Sequence, residues 1–236
     1  MGIAVCSVPS GTSHARPFRL AIAVAKADMI DRLNTLLRKL PNWLLYLLGA
    51  AYPAWLLYAG FTGGLGVDPV KAMEHALGKA GLQILVAVLL ITPLRRFTKI
   101  NLLSWRRALG VIAFFYIVLH LLVWMVLDVQ ILSQVWADIV KRPYIIVGMA
   151  SLLILLPLAL TSNNWSIRKL GPRWRVLHKA TYLAVLLGGI HYIMQVKGFQ
   201  YEPYVYLGVI IILLALRRLP KRSKKPITKP RMRRAT

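Results

Sequence analysis

The chain is 236 residues long, 58% hydrophobic and only 16% charged, with a mean hydropathy of +0.59. Its charge is lopsided, 31 Lys and Arg against 7 Asp and Glu, and the basic residues fall between long apolar runs and in a C-terminal tail. That placement argues for an integral membrane protein and against a nucleic-acid binder, and the single cysteine, Cys6, excludes a disulfide framework or a cysteine-built metal site.

Residues 1–42 read as a cytoplasmic leader. Its run "RLAIAVAK" is too short to span and a poor signal peptide, being followed by Asp28 after Lys26, so a loosely ordered segment is expected. Met1 and Met29 are both candidate starts. Six runs free of Asp, Glu, Lys and Arg then follow, at 43–62, 80–94, 108–127, 143–161, 180–196 and 203–216. A span needs about 20 apolar residues, so the second and sixth must borrow their flanks. The expectation is an all-α integral membrane protein, a six-helix transmembrane bundle over 43–218. Trp43, Tyr46, Tyr144, Tyr201 and Tyr204 stand near run ends, where amphipathic rings favour the interface.

With a cytoplasmic N-terminus, every basic residue except Lys71, Lys79, Lys141, Arg142 and Lys197 falls on the cytoplasmic side. The positive-inside rule therefore predicts both termini cytoplasmic. The tail over 219–236 reads as a disordered basic segment lying on anionic membrane lipid rather than as a specific partner site. There is no internal repeat, and the loops are too short for a nucleotide-binding domain.

The loop "GGLGVDPVKAMEHALGK" (63–79) carries a helix start, Asp68 as N-cap and Pro69 at the first position. The short helix expected after it would hold Glu74 and His75 just outside the membrane. Two readings stand: a quinol or partner site with His75 as proton acceptor, or a capped amphipathic helix lying on the surface.

Imidazoles are costly in hydrocarbon. His120 lies thirteen residues past Arg107 in run three, and His191 twelve past Lys179 in run five. At 1.5 Å per residue these are about 20 Å and 18 Å from the cytoplasmic edge, at matched depth on two parallel helices. Two nitrogens could thus approach one iron from opposite sides; equally, each His could bond a neighbouring helix. With no C-x-x-C-H motif, any haem would be b-type. His178 sits about 20 Å below His191, turned some 140° away on an ideal helix, at the depth of Arg106 and Arg107. Those arginines could pair with a haem propionate or a flavin phosphate, or serve topology alone.

The segments "GLGVDPVKAMEHALGKAGLQILVAVLLITPLRR", "WRRALGVIAFFYIVLH", "KRPYIIVGMASLLILLPLALTS" and "KLGPRWRVLHKATYLAVLLGGIHY" resemble the MsrQ (YedZ) family, within the ferric-reductase-like transmembrane group. The likeness covers roughly 43–218. It implies a six-helix bacterial inner-membrane subunit with one or two b-type haems, and FMN as a further cofactor. It also implies electrons drawn from the quinone pool or a cytoplasmic flavin reductase. They would pass to a periplasmic molybdopterin-containing methionine sulfoxide reductase that repairs oxidised proteins. By motif, His120 and His191 are the axial pair and His178 a candidate second ligand. The broader group usually carries another histidine where this chain has Arg106 and Arg107. Such a chain would be an electron carrier rather than a bond-making enzyme. The outer loops at 63–79 and 128–142, with Asp68, Glu74 and Asp138, are the expected docking side. The rival readings are a transporter or proton channel using the histidines as relays, and a non-catalytic assembly subunit.

Overall fold

The computed structural model describes residues 15–218. The tail over 219–236, expected to be disordered on lipid, lies outside the described residues, as do residues 1–14. All regular structure among the described residues is helical. In chain order the α-helices are α1 (Ala15–Lys39), α2 (Asn42–Phe61), α3 (Pro69–Thr98), α4 (Arg106–Leu122), α5 (Leu132–Lys141), α6 (Pro143–Leu160), α7 (Asn164–Leu170), α8 (Pro172–Leu177), α9 (Thr181–Gln195) and α10 (Tyr201–Arg218). A π-helical stretch, Val123–Val129, continues α4, and a 3₁₀ turn, His178–Ala180, joins α8 to α9.

Among the described residues five segments are long and apolar enough to cross a membrane: Asn42–Phe61, Pro69–Thr98, Arg106–Val129, Pro143–Leu160 and Pro172–Gln195. The sixth expected run forms α10, whose 18 residues include Glu202, Arg217 and Arg218. Large apolar side chains cover the outside, among them Leu47 and Trp55 on α2, Leu153 on α6, Leu183 on α9 and Ile211 and Ile212 on α10. Such a surface suits lipid, which is as apolar as the side chains themselves.

Three sequence expectations are corrected. The leader is not loosely ordered over 15–39: from residue 18 it has neither Gly nor Pro and is rich in Ala, Leu and basic residues, good helix formers. Asn34 ties α1 to the α3–α4 loop, accepting from the Asn101 N–H at 2.8 Å and donating to the Lys99 carbonyl at 3.3 Å. The helix begun at Asp68 is not a separate surface piece. Asp68 caps it as expected, accepting from the Lys71 N–H at 3.1 Å, but α3 then runs unbroken for 30 residues. No proline interrupts 70–92, so the span borrows this flank. The outer loop at 128–142 is largely α5.

Helices α3, α4, α6 and α9 form a closed ring, each packed on the next, with α2 laid on α3 and α4 and α10 on α3 and α9. Leu82, Leu85, Leu89, Ala113, Leu155, Ala184 and Val185 fill the middle of this ring. In that order α4 and α9 stand diagonally and run parallel, so their inward faces oppose each other.

Interior prolines leave the carbonyl four residues earlier without its helical donor. In lipid such a group must be satisfied from within the protein. Pro53 orphans Gly49, whose carbonyl accepts from the Tyr116 hydroxyl at 2.8 Å. Pro93 orphans Leu89, whose carbonyl accepts from the Arg217 guanidinium at 2.6 and 3.2 Å. Both of these orphaned carbonyls are thus answered by side chains of neighbouring helices.

Candidate functional site

The ring brings His120, on α4, and His191, on α9, face to face, with ring centroids 6.3 Å apart and planes 75° from parallel. Each imidazole is held by the same device. His120 Nδ1–H donates to the Glu74 carbonyl of α3 at 2.9 Å, and His191 Nδ1–H donates to the Tyr144 carbonyl of α6 at 2.7 Å. A carbonyl only accepts, so both Nδ1 atoms carry the proton and both Nε2 atoms carry the lone pair. This is the arrangement of a metal-binding histidine, whose second nitrogen donates to a carbonyl that fixes tautomer and ring orientation.

The 6.3 Å between the centroids would leave room for one metal ion between the two rings, held through Nε2 of each. Glycines make the room. A Cβ at Gly78 would lie 3.0 Å from His120 Nδ1, and one at Gly148 would lie 2.8 Å from His191 Nδ1. Among the described residues no group of three or more His, Cys, Asp and Glu could hold a bare metal ion.

His178 is placed differently. It lies at the other end of the ring in a cavity of about 430 Å³, lined also by Arg106, Arg107, Arg175, Lys179, Trp174 and Tyr182. Its ring stacks on Trp174, with centroids 3.9 Å apart. The Thr161 hydroxyl donates to the Pro157 carbonyl at 2.7 Å and so accepts from His178 Nε2–H at 3.1 Å. The nitrogen that stays open on the outer pair is therefore occupied here. The 3₁₀ turn at His178–Ala180 adds about 60° of rotation over three residues, which narrows the 140° offset expected of an ideal helix. Arg107 donates to the Asn164 side chain at 2.6 Å, so one of the two candidate anion-pairing arginines is braced by α7.

On the outer side, exposed His75 accepts at Nε2 from the Gln195 amide at 2.8 Å, linking α3 to the end of α9. Glu74 contributes its backbone carbonyl to His120, one residue before His75. Asp68 is engaged as the N-cap and pairs with Lys71 at 3.4 Å. Sequence reasoning missed Gly78, Gly148, Thr161 and Trp174, and read Tyr144 only as an interfacial aromatic. For Gly78 and Gly148 the only signal there is a glycine inside a long helix, which many packing roles also produce.

Comparison with known proteins now bears on this geometry. Residues 77–189 match the family model described as "Ferric reductase like transmembrane component". The chain is 49% identical over 192 residues to the "Protein-methionine-sulfoxide reductase heme-binding subunit MsrQ" of Brucella anthropi, covering 80% of this chain and 87% of that one. It is 50% identical to the MsrQ proteins of Brucella ovis and Brucella canis over the same lengths. The chain belongs to the MsrQ family. The residues matching the ferric-reductase-like model begin at Leu77, beside Gly78, and end at Gly189, two residues short of His191. They enclose His120, the inner cavity and most of the four-helix ring. The relatives' name describes a heme-binding subunit of a protein-methionine-sulfoxide reductase.

Proposed function

We propose that this chain is a b-type cytochrome subunit that carries electrons across the bacterial inner membrane, with His120 and His191 as the axial ligands of an outer haem. The observation that carries this reading is the facing pair, 6.3 Å apart, with both Nδ1 atoms anchored to backbone carbonyls. Haem bound there would supply a one-electron carrier. The chain's own part is placement: the carbonyls of Glu74 and Tyr144 hold the rings, raise the basicity of Nε2, and leave it aimed for ligation. The apolar core around Leu82, Ala113 and Val185 keeps the lower side of the pair dry.

The inner cavity is the second cofactor site. Arg106, Arg107, Arg175 and Lys179 offer cations to an anion, and Trp174 an aromatic face. A flavin phosphate, as in FMN, or the propionates of a second haem would suit them. The engaged Nε2 of His178 favours a lining rather than a ligating role in this conformation. Electrons would enter here from the quinone pool or a cytoplasmic flavin reductase. They would leave from the outer side to a periplasmic molybdopterin-containing catalytic subunit. With α10 as the sixth span, both termini are cytoplasmic.

The deciding experiment is an absorption spectrum of detergent-purified protein, oxidised and dithionite-reduced, with a pyridine haemochrome count. A Soret band with sharp reduced α and β bands supports the reading, and the count separates one haem from two. A protein that stays colourless after haem reconstitution would favour a histidine relay in a transporter or proton channel.

A further inference from the structure

The two histidine cradles share a pattern that neither helix pair would need for packing alone. The acceptor carbonyl of His120 is Glu74 and the glycine against its ring is Gly78; for His191 they are Tyr144 and Gly148. In both, the glycine stands four residues after the acceptor. In an α-helix the N–H of residue i+4 bonds the carbonyl of residue i, so this glycine sits directly above the oxygen the imidazole must reach. A carbonyl oxygen has two lone pairs and can accept both donors. A side chain at i+4, however, would cover the second one. The Cβ positions show this: at 78 it would fall 3.0 and 3.1 Å from His120 Nδ1 and Cε1, and at 148 it would fall 2.8 and 2.9 Å from the same atoms of His191.

Other glycines in the ring serve different neighbours. Gly81 faces Ile117, and Gly189 faces Ile210 and Leu207. Among the described glycines only 78 and 148 would place a Cβ against a histidine. The device occurs twice, on unrelated helix pairs, α3 with α4 and α6 with α9, and each instance serves one member of the facing pair.

We infer that Gly78 and Gly148 are positioning residues: each opens the carbonyl four residues before it to a histidine Nδ1–H and thereby sets the ring planes of the two axial ligands. The inference rests on the reading of His120 and His191 as ligands. Its consequence is specific. A methyl group at either position would push the ring off its carbonyl, free it to rotate about its long axis, and change the 75° angle between the planes. The ferric low-spin electron paramagnetic resonance spectrum of a bis-imidazole haem reads that angle through its largest g value.

The test is a pair of double-mutant cycles on the purified full-length protein, Gly78→Ala with His120→Ala and Gly148→Ala with His191→Ala, read by thermal melting. Gly78→Ala should lower the melting temperature by several degrees in the natural background. In the His120→Ala background it should be neutral or stabilising, because the ring is gone and Ala is the better helix former. Gly148→Ala should behave likewise against His191→Ala. Gly49→Ala is the packing control: its Cβ would meet Ile112 at 2.8 Å, so it should cost the same with or without His120. Where the single glycine variants retain haem, their largest g value should shift while that of Gly49→Ala does not. Equal loss of stability in both backgrounds, or full haem with an unshifted g value, would overturn the inference. If His120→Ala and His191→Ala keep the entire natural haem spectrum, the ligand reading fails instead, and the melting cycles still decide whether the glycines serve the rings.

Discussion

Arg217, in the last turn of α10, donates to the carbonyl of Leu89 on α3 at 2.6 Å, the acceptor that Pro93 deprives of its helical partner. The same guanidinium reaches the Val88 carbonyl at 3.3 Å and the Tyr182 hydroxyl at 2.8 Å, and lies over the Tyr182 ring. One side chain thus joins three helices beside the interior proline of α3. Leu85, Val88 and Tyr182 also line the inner cavity, so the lock and the cavity wall share residues.

Removing this lock should be costly. Hydrogen bonds to a charged donor contribute about 1.5–3 kcal/mol, and the abandoned carbonyl adds its own penalty. Arg217→Ala is therefore expected to destabilise by roughly 3 kcal/mol, and Arg217→Lys, which lacks the fork, by somewhat less. In a Pro93→Ala background the helix supplies its own donor to Leu89, and the cost of Arg217→Ala should fall. Thermal melts of the four proteins measure the coupling; equal costs in both backgrounds would dismiss the link. Tyr116→Phe should show a smaller effect, about 1 kcal/mol, through the Gly49 carbonyl.

His120→Ala and His191→Ala are each expected to abolish the reduced α band of the outer haem, because one axial nitrogen cannot hold a low-spin iron. His75→Ala should leave it in place, since that ring bonds Gln195 rather than the facing pair. Difference spectra of the three variants test the assignment, and an unchanged spectrum in either of the first two would sink it.

Neutralising the inner cations together, Arg106→Gln with Arg107→Gln, should release the inner cofactor while sparing the outer haem. Thr161→Val should free His178 Nε2 from its acceptor and loosen the ring stacked on Trp174. Flavin fluorescence and haem count after purification give the readout. Full retention of every cofactor in the double arginine variant would mean those residues serve topology alone.

On the outer side, Asp68→Lys and Asp138→Lys together should slow electron delivery to the periplasmic catalytic subunit without altering the haem spectrum, and adding Glu74→Lys, beside the His120 cradle, should slow it further. Asp68→Ala alone should cost about 1 kcal/mol as a lost N-cap. Stopped-flow oxidation of the reduced protein by its catalytic subunit would show the difference; an unchanged rate removes this face from consideration.

Much of the site was legible in one dimension because a helix advances by a constant rise. The distances of His120 and His191 from Arg107 and Lys179 set their depth, and the structure does put the rings side by side. Depth is a sum along one chain. Rotational phase is not: the 3₁₀ turn after His178 and the π-helical stretch after His120 alter it locally, and neither leaves a composition signal.

Sequence alone determined the membrane class, the apolar runs, the helix start at Asp68 and Pro69, and the matched depth of His120 and His191, because each follows from local polarity or from spacing along a helix. It misjudged the leader and the flank of α3, where good helix formers continue a helix beyond the apolar run. Tertiary structure alone decided which carbonyl each histidine uses, that Gly78 and Gly148 lie against the rings, and that Arg217 and Tyr116 answer the carbonyls orphaned by Pro93 and Pro53. These are contacts between residues far apart in the chain. Their existence depends on how six helices rotate against one another, a packing outcome that no single helix encodes.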